Sequence, residues 1–153
     1  MASGAVGPAQ LERLERVLLE LAASDHLRVV LIHHPPVPGI TTSRRALHDA
    51  DALCSVLRRT GADLVLHGHM HRTELHSVPG RDGPIPVVGV RSSSDVGSKP
   101  HKRAQYHLYD VESDGRSGGR PRFRIAMRTR GFDVATRRFA AEGEAVRDLG
   151  SVA

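Results

Sequence analysis

The chain has 153 residues, 39% hydrophobic and 25% charged, enough for one domain with a single core and too balanced for wholesale disorder. Its longest apolar run is Val29–Ile32, which excludes a membrane-spanning helix, and MASGAVGPAQ lacks the basic start and apolar stretch of a signal peptide. The single Cys54 excludes an internal disulfide, so a cytoplasmic location is expected; the formal charge of +5 with only 3 Phe, 2 Tyr and no Trp argues against a nucleic-acid binder, for want of a stacking platform.

Gly7-Pro8 opens a helix, because proline is tolerated in a first turn, and Leu11, Leu14, Leu18 and Leu21 form one apolar stripe along it. Ser24-Asp25 ends the pattern. Leu27 to Ile32 is short, β-branched and nearly continuous, which predicts a buried strand running into His33-His34-Pro35-Pro36, where the prolines stop the ladder. Residues 38–45 read as loop, and Ala46, Ala50, Leu53 and Leu57 predict a second amphipathic helix closed by Gly61. Cys54, beside that stripe, reads as packing. Leu64-Val65-Leu66 predicts a second buried strand, ending in His67-Gly68-His69-Met70-His71.

Further on, Gly80 to Gly83 reads as a turn into a strand over Ile85–Val90, and Ser92 to His101 as a polar loop. Tyr106–Val111 predicts a strand and Ser113–Arg120 a turn or loop. Residues 122–130 alternate, with Phe123, Ile125 and Met127 on one face and Arg122, Arg124, Arg128 and Arg130 on the other, a charged outer face of a strand. From Gly131 the pattern fades, and residues 131–153 read as a weakly structured tail behind a domain over 1–130.

Strand, helix, strand predicts a parallel pair, and parallel strands joined by a helix end at the same sheet edge, where α/β proteins keep their sites. That makes His33-His34 and His67-Gly68-His69-Met70-His71 one candidate site. Imidazole suits zinc, manganese and iron near neutral pH, and Gly68 lets a ligand approach the backbone. In an extended segment His69 and His71 project to the same side and can share one metal or straddle a pair. The H-x-H-x-D-H pattern of metallo-β-lactamases fails, since residues 71 and 72 are His71 and Arg72. His26, His48, His101 and His107 have no partners in sequence and read as surface or hydrogen-bonded residues.

VLIHHPP and GADLVLHGHMH, with PIPVVGVRSSS after them, resemble the C-terminal half of calcineurin-like metallophosphoesterases, a family that includes bacterial cyclic-nucleotide phosphodiesterases; the resemblance spans about residues 5–130. It implies an α/β fold, part of an αββα sandwich with a mixed sheet and flanking helices. It also implies a phosphoester hydrolase with a divalent metal pair (manganese, iron or zinc), in which metal-bound hydroxide attacks a small-molecule substrate such as a cyclic nucleotide. Carried over by position, His33 and His69 serve one metal and His71 the other, while His34 and His67 orient ligands or touch substrate.

The family's earlier motifs, D-x-H, G-D-x-x-D and G-N-H-[D/E], have no counterpart, and the chain contains no asparagine. The ligand set is therefore incomplete here. The chain is expected to be inactive alone, to be completed by an N-terminal half in cis or from another chain, and to self-associate. Its start is expected to lie inside a longer gene, or in a split or decayed one. The other reading is a non-catalytic remnant or binding module with at most one weak histidine metal site.

Overall fold

The computed structural model describes residues 2–97, 99–117, 119–143 and 146–152. Helix α1 (Pro8–Leu21) buries Leu11 and Leu18 of its leucine stripe. Strand β1 (Val29–Ile32) follows, and helix α2 (Ala50–Thr60) crosses to β2 (Leu64–His67). Gly61 ends α2 as its composition predicts, with φ 74 and an N–H donated to the Leu57 carbonyl at 2.8 Å. The helix starts later than Ala46, after a short 3-10 turn at Ser43–Arg45. Asp49, which precedes it, bonds its carboxylate to the N–H groups of Val6 and Gly7 at 3.0 and 2.7 Å, fastening the entry of α1 to that of α2.

The first sheet has the order β1-β2-β4-β3, where β3 is Glu74–Pro79 and β4 is Pro84–Gly89. Strands β1, β2 and β4 are parallel and β3 is antiparallel to β4, so the sheet is mixed. The turn at Gly80–Gly83 makes β3 and β4 a hairpin; β3 itself escapes the sequence reading because only Leu75 and Val78 mark it. The second sheet is antiparallel: β5 (Gln105–Ser117) pairs with β6 (Arg120–Asp133), and β7 (Arg138–Ala141) and β8 (Arg147–Val152) both pair with β6. Two further regions differ from expectation. The segment read as a turn from Ser113 is strand up to Ser117, with irregular register at Ser113/Arg116. The stretch from 131 carries the end of β6, then β7 and β8; pairing to β6, which sequence does not reveal, orders these weakly patterned residues, and residues 144, 145 and 153 lie outside the described ones.

Two apolar clusters define the layers. Leu11, Leu18, Leu53 and Leu57 from the helices meet Val30, Val65, Ile85 and Val87 of the first sheet, and Cys54 packs among them with its thiol donated to the Pro36 carbonyl. On the other face Leu64 and Val88 meet Ile125 and Met127 of β6. The order is helices, mixed sheet, antiparallel sheet. Each fully buried leucine contributes about 1.5–3 kcal/mol. Among the described residues no helix is long and apolar enough to cross a membrane.

At the start of the parallel pair, Arg28 and Asp63 are both 2% exposed. Asp63 accepts the Arg28 backbone N–H at 2.6 Å and lies 3.6 Å from its guanidinium, which also donates to the Thr60 carbonyl at 3.0 Å. Arg120 reaches Asp63 at 3.9 Å and pairs with Asp82. Removing one partner leaves a buried charge uncompensated, so Asp63→Ala should cost about 3–5 kcal/mol in urea unfolding; a loss under about 1 kcal/mol would contradict this role.

Candidate functional site

The parallel register runs Val29↔Leu64 to Ile32↔His67, so the residues after both strands emerge at one level of the sheet edge. The ladder extends one step, with the Gly68 N–H donating to the His33 carbonyl at 3.2 Å. The chain then tightens, as the Met70 N–H bonds the Gly68 carbonyl at 2.7 Å and His69 and His71 adopt left-handed φ of 64° and 52°. These conformations cost a residue bearing a Cβ about 1–2 kcal/mol each. They correct the expectation of an extended segment with His69 and His71 projecting together, because a tight turn replaces the alternation of a strand.

The turn folds His69 back onto the end of β1. Its Nδ1 lies 3.2 Å from Nε2 of His33, and the ring centroids are 5.1 Å apart at 73°. His34 completes a three-ring cluster, 4.3 Å from His69 and 5.0 Å from His33 between centroids. Its Nε2 donates to the Ala2 carbonyl at 2.9 Å, and Gly4 lies so close that a Cβ there would meet the ring at 2.7 Å. The segment before α1 therefore holds His34 in place.

Partial burial, helped by the nearby His34, His33, Arg45 and His71, lowers the pKa of His69 and favours the neutral imidazole, the form that binds metal. His69 Nε2 is buried and has no hydrogen-bond partner among the described residues. A neutral ring with one nitrogen against His33 and the other unpartnered fits a metal ligand. The fit extends to half a site: among the described residues no group of three or more His, Cys, Asp or Glu side chains is placed to hold an ion.

His67 and His71 make no ring contact with the cluster. His67 is 2% exposed, with Nδ1 near the Gly68 carbonyl at 3.1 Å and Nε2 unpartnered, and burial lowers its pKa. Its ring covers Gly89, where a Cβ would sit 2.8 Å from the ring, and Glu74 stands beyond that glycine. His71 is exposed at the turn. An open apolar groove of about 430 Å³, lined by Leu31, Ile32, Leu66 and Val90, runs beside His33 and Gly68.

A second polar group sits between the sheets. Glu142 pairs with Arg91 at 2.7 Å and accepts from Gln105 at 2.9 Å; Gln105 lies 3.1 Å from His107 Nε2, and His107 Nδ1 lies 3.1 Å from the Tyr109 hydroxyl. A cavity of about 300 Å³ opens beside Gln105, His107 and Tyr109. The signal for it in sequence is period two, Gln105, His107 and Tyr109 falling on one face of a strand.

The calcineurin-like phosphoesterase family model matches residues 6–73, which hold α1, β1, α2, β2 and the histidines of both clusters. No curated protein matches the chain. Over that stretch the chain is similar to this family, and its mixed sheet with flanking helices is consistent with the family's fold, as the sequence motifs imply.

Burial, together with the positive charge of Arg91, pushes His107 down to about 4, while the unfolded chain takes up that proton near pH 6.5. The unfolded state therefore binds more protons between these values, and stability should fall as pH drops from 6.5 towards 4, with a slope of up to about 1.4 kcal/mol per pH unit from this group. His107→Gln should flatten that part of the denaturation profile; an unchanged profile would contradict the assignment.

Proposed function

We propose that this chain carries part of a phosphoester hydrolase centre of the calcineurin-like type, with His33 and His69 ligating one divalent metal and His71 belonging to a second. What supports this most is the 3.2 Å approach of His69 Nδ1 to His33 Nε2, a spacing at which one ion can take both nitrogens, inside the stretch similar to that family. When bound, such a metal pair supplies Lewis acidity that activates water and neutralises phosphate charge. The chain's own part is to hold two imidazoles at fixed spacing. His34, anchored to Ala2, packs against the His69 ring and limits its rotation, and His67 stands beneath the turn as a neighbour of the ligands.

The remaining ligands come, in this reading, from a further polypeptide segment, in cis or on another chain. The substrate is a small phosphoester, a cyclic nucleotide being one that fits the class. The single buried Cys54 suits the reducing cytoplasm.

Calorimetric titration of the chain with Zn²⁺ or Mn²⁺ tests the proposal. One weak site is expected, with affinity falling about 10–100-fold in His33→Ala or His69→Ala and unchanged in His26→Ala. Affinity retained in both site variants would overturn the ligand assignment. Hydrolysis of a chromogenic phosphodiester by the chain alone should stay at background, and turnover would overturn the incomplete ligand set.

A further inference from the structure

The polar group between the sheets has a direction. Glu142, paired with Arg91 at 2.7 Å, only accepts, so the Gln105 amide turns its N–H towards that carboxylate and donates at 2.9 Å. The Gln105 oxygen then faces Thr73 and His107, and it accepts from the Thr73 hydroxyl and from His107 Nε2, the latter at 3.1 Å. The opposite orientation would set that oxygen against the Glu142 carboxylate. Burial, with the charge of Arg91, pushes His107 down to about 4, so the ring is neutral near neutral pH. A neutral ring with its proton on Nε2 is an acceptor at Nδ1, and the Tyr109 hydroxyl, 3.1 Å away, donates there. Tyr109 has thereby spent its one proton, and its oxygen keeps only the capacity to accept.

The cavity of about 300 Å³ beside His107 and Tyr109 is walled by Leu66, Val88, Val90 and Tyr106, a volume at the small end of the range for small-molecule sites. Arg91 lines it too, yet its guanidinium is taken up by Glu142 and by the carbonyls of Pro100 and Arg103, so it offers no free charge to an anion. Among the described residues no carboxylate lines the cavity, so a cation finds no counter-charge. Ser93 is exposed, and its hydroxyl pairs with donors and acceptors alike. Burial raises Tyr109 above its ordinary range, as it lowers His107, so both groups stay uncharged. Apolar walls, few polar groups and shifted titratable side chains are the usual make-up of a ligand site. We propose that this cavity binds a small neutral molecule, an apolar ring bearing an N–H or O–H donor, with the Tyr109 oxygen as its acceptor and His107 as the residue that fixes that polarity. A ring of the same shape with only an acceptor sets lone pair against lone pair, and a charged one is left unpaired, so both are rejected. Leu66 and Val90 also line the groove beside His33 and Gly68, so an occupant borders that groove. None of the polar residues invoked is a proposed metal ligand, and the site does not rest on the metal reading.

Indole is a suitable probe, because its ring is apolar, its N–H donates, and the chain has no Trp to obscure its emission. Fluorescence titration should give a dissociation constant of about 0.1–1 mM. Benzofuran, the same shape with an oxygen in place of the N–H, should compete at least about tenfold more weakly, and benzoate should not compete. In Tyr109→Phe the preference for indole over benzofuran should vanish. Nuclear Overhauser contacts should run from indole to the Val88 methyls and not to Leu31 or Ile32, which line the neighbouring groove. For a Tyr109→Phe chain that fails to fold, the wild-type preference and these contacts decide instead. No binding of indole, equal competition by benzofuran in the wild type, a preference kept in folded Tyr109→Phe, or contacts to Leu31 and Ile32 in place of Val88 would each overturn the proposal.

Discussion

The parallel pairing of β1 with β2 is the constraint on which the rest depends. Its register, Val29↔Leu64 to Ile32↔His67, decides that His33 and Gly68 leave the sheet side by side. A slip of one residue would exchange the faces of Val30 and Val65, both packed against the helices, for Leu31 and Leu66. The pairing is fixed at its start by Arg28 and Asp63, which bond each other through main chain and side chain in a site closed to water. Burying such a pair gives little net stability, but a slipped register would strand both charges. Charges at one end of the strands thus help to place the histidines at the other.

The first half of the fold was legible because its signals are local. Leucine spacing marks α1, the β-branched run marks β1, and Gly61, with its positive φ, marks the end of α2. The alternation from Phe123 to Met127 identified β6 and its inner face. Elements that depend on a partner were not legible. Strand β3 has few apolar residues and exists through its pairing with β4, while β7 and β8 exist through β6. Helix α2 starts later than the spacing from Ala46 predicts, and Asp49 ahead of it serves α1, a long-range contact that no propensity encodes.

The candidate site divides along the same line. That His33 and His69 meet followed from two strand ends and a parallel connection. That His69 and His71 do not project together as they would from a strand depends on positive φ at both residues, which a sequence with no glycine at either place does not announce. The anchoring of His34 by Ala2 and Gly4 is a tertiary contact of the opening segment, invisible in the motif. His107 looked solitary, yet its environment is the most perturbed among the histidines with resolved shifts, because β5 turns it inward between the sheets beside Arg91.

Among the described residues the chain therefore offers a fixed imidazole pair without a full coordination sphere, and an apolar sheet edge without a neighbour. Both follow from placing β1 at the border of the first sheet. The proposed pairing of His33 and His69 on one metal ion is tested most directly by long-range ¹H–¹⁵N spectra of the histidine rings during stepwise addition of Zn²⁺. Ring nitrogens of His33 and His69 are expected to shift together at the lowest metal levels, with His26, His48 and His101 unmoved. Early shifts spread over those exposed histidines, with His33 and His69 unchanged, would contradict it.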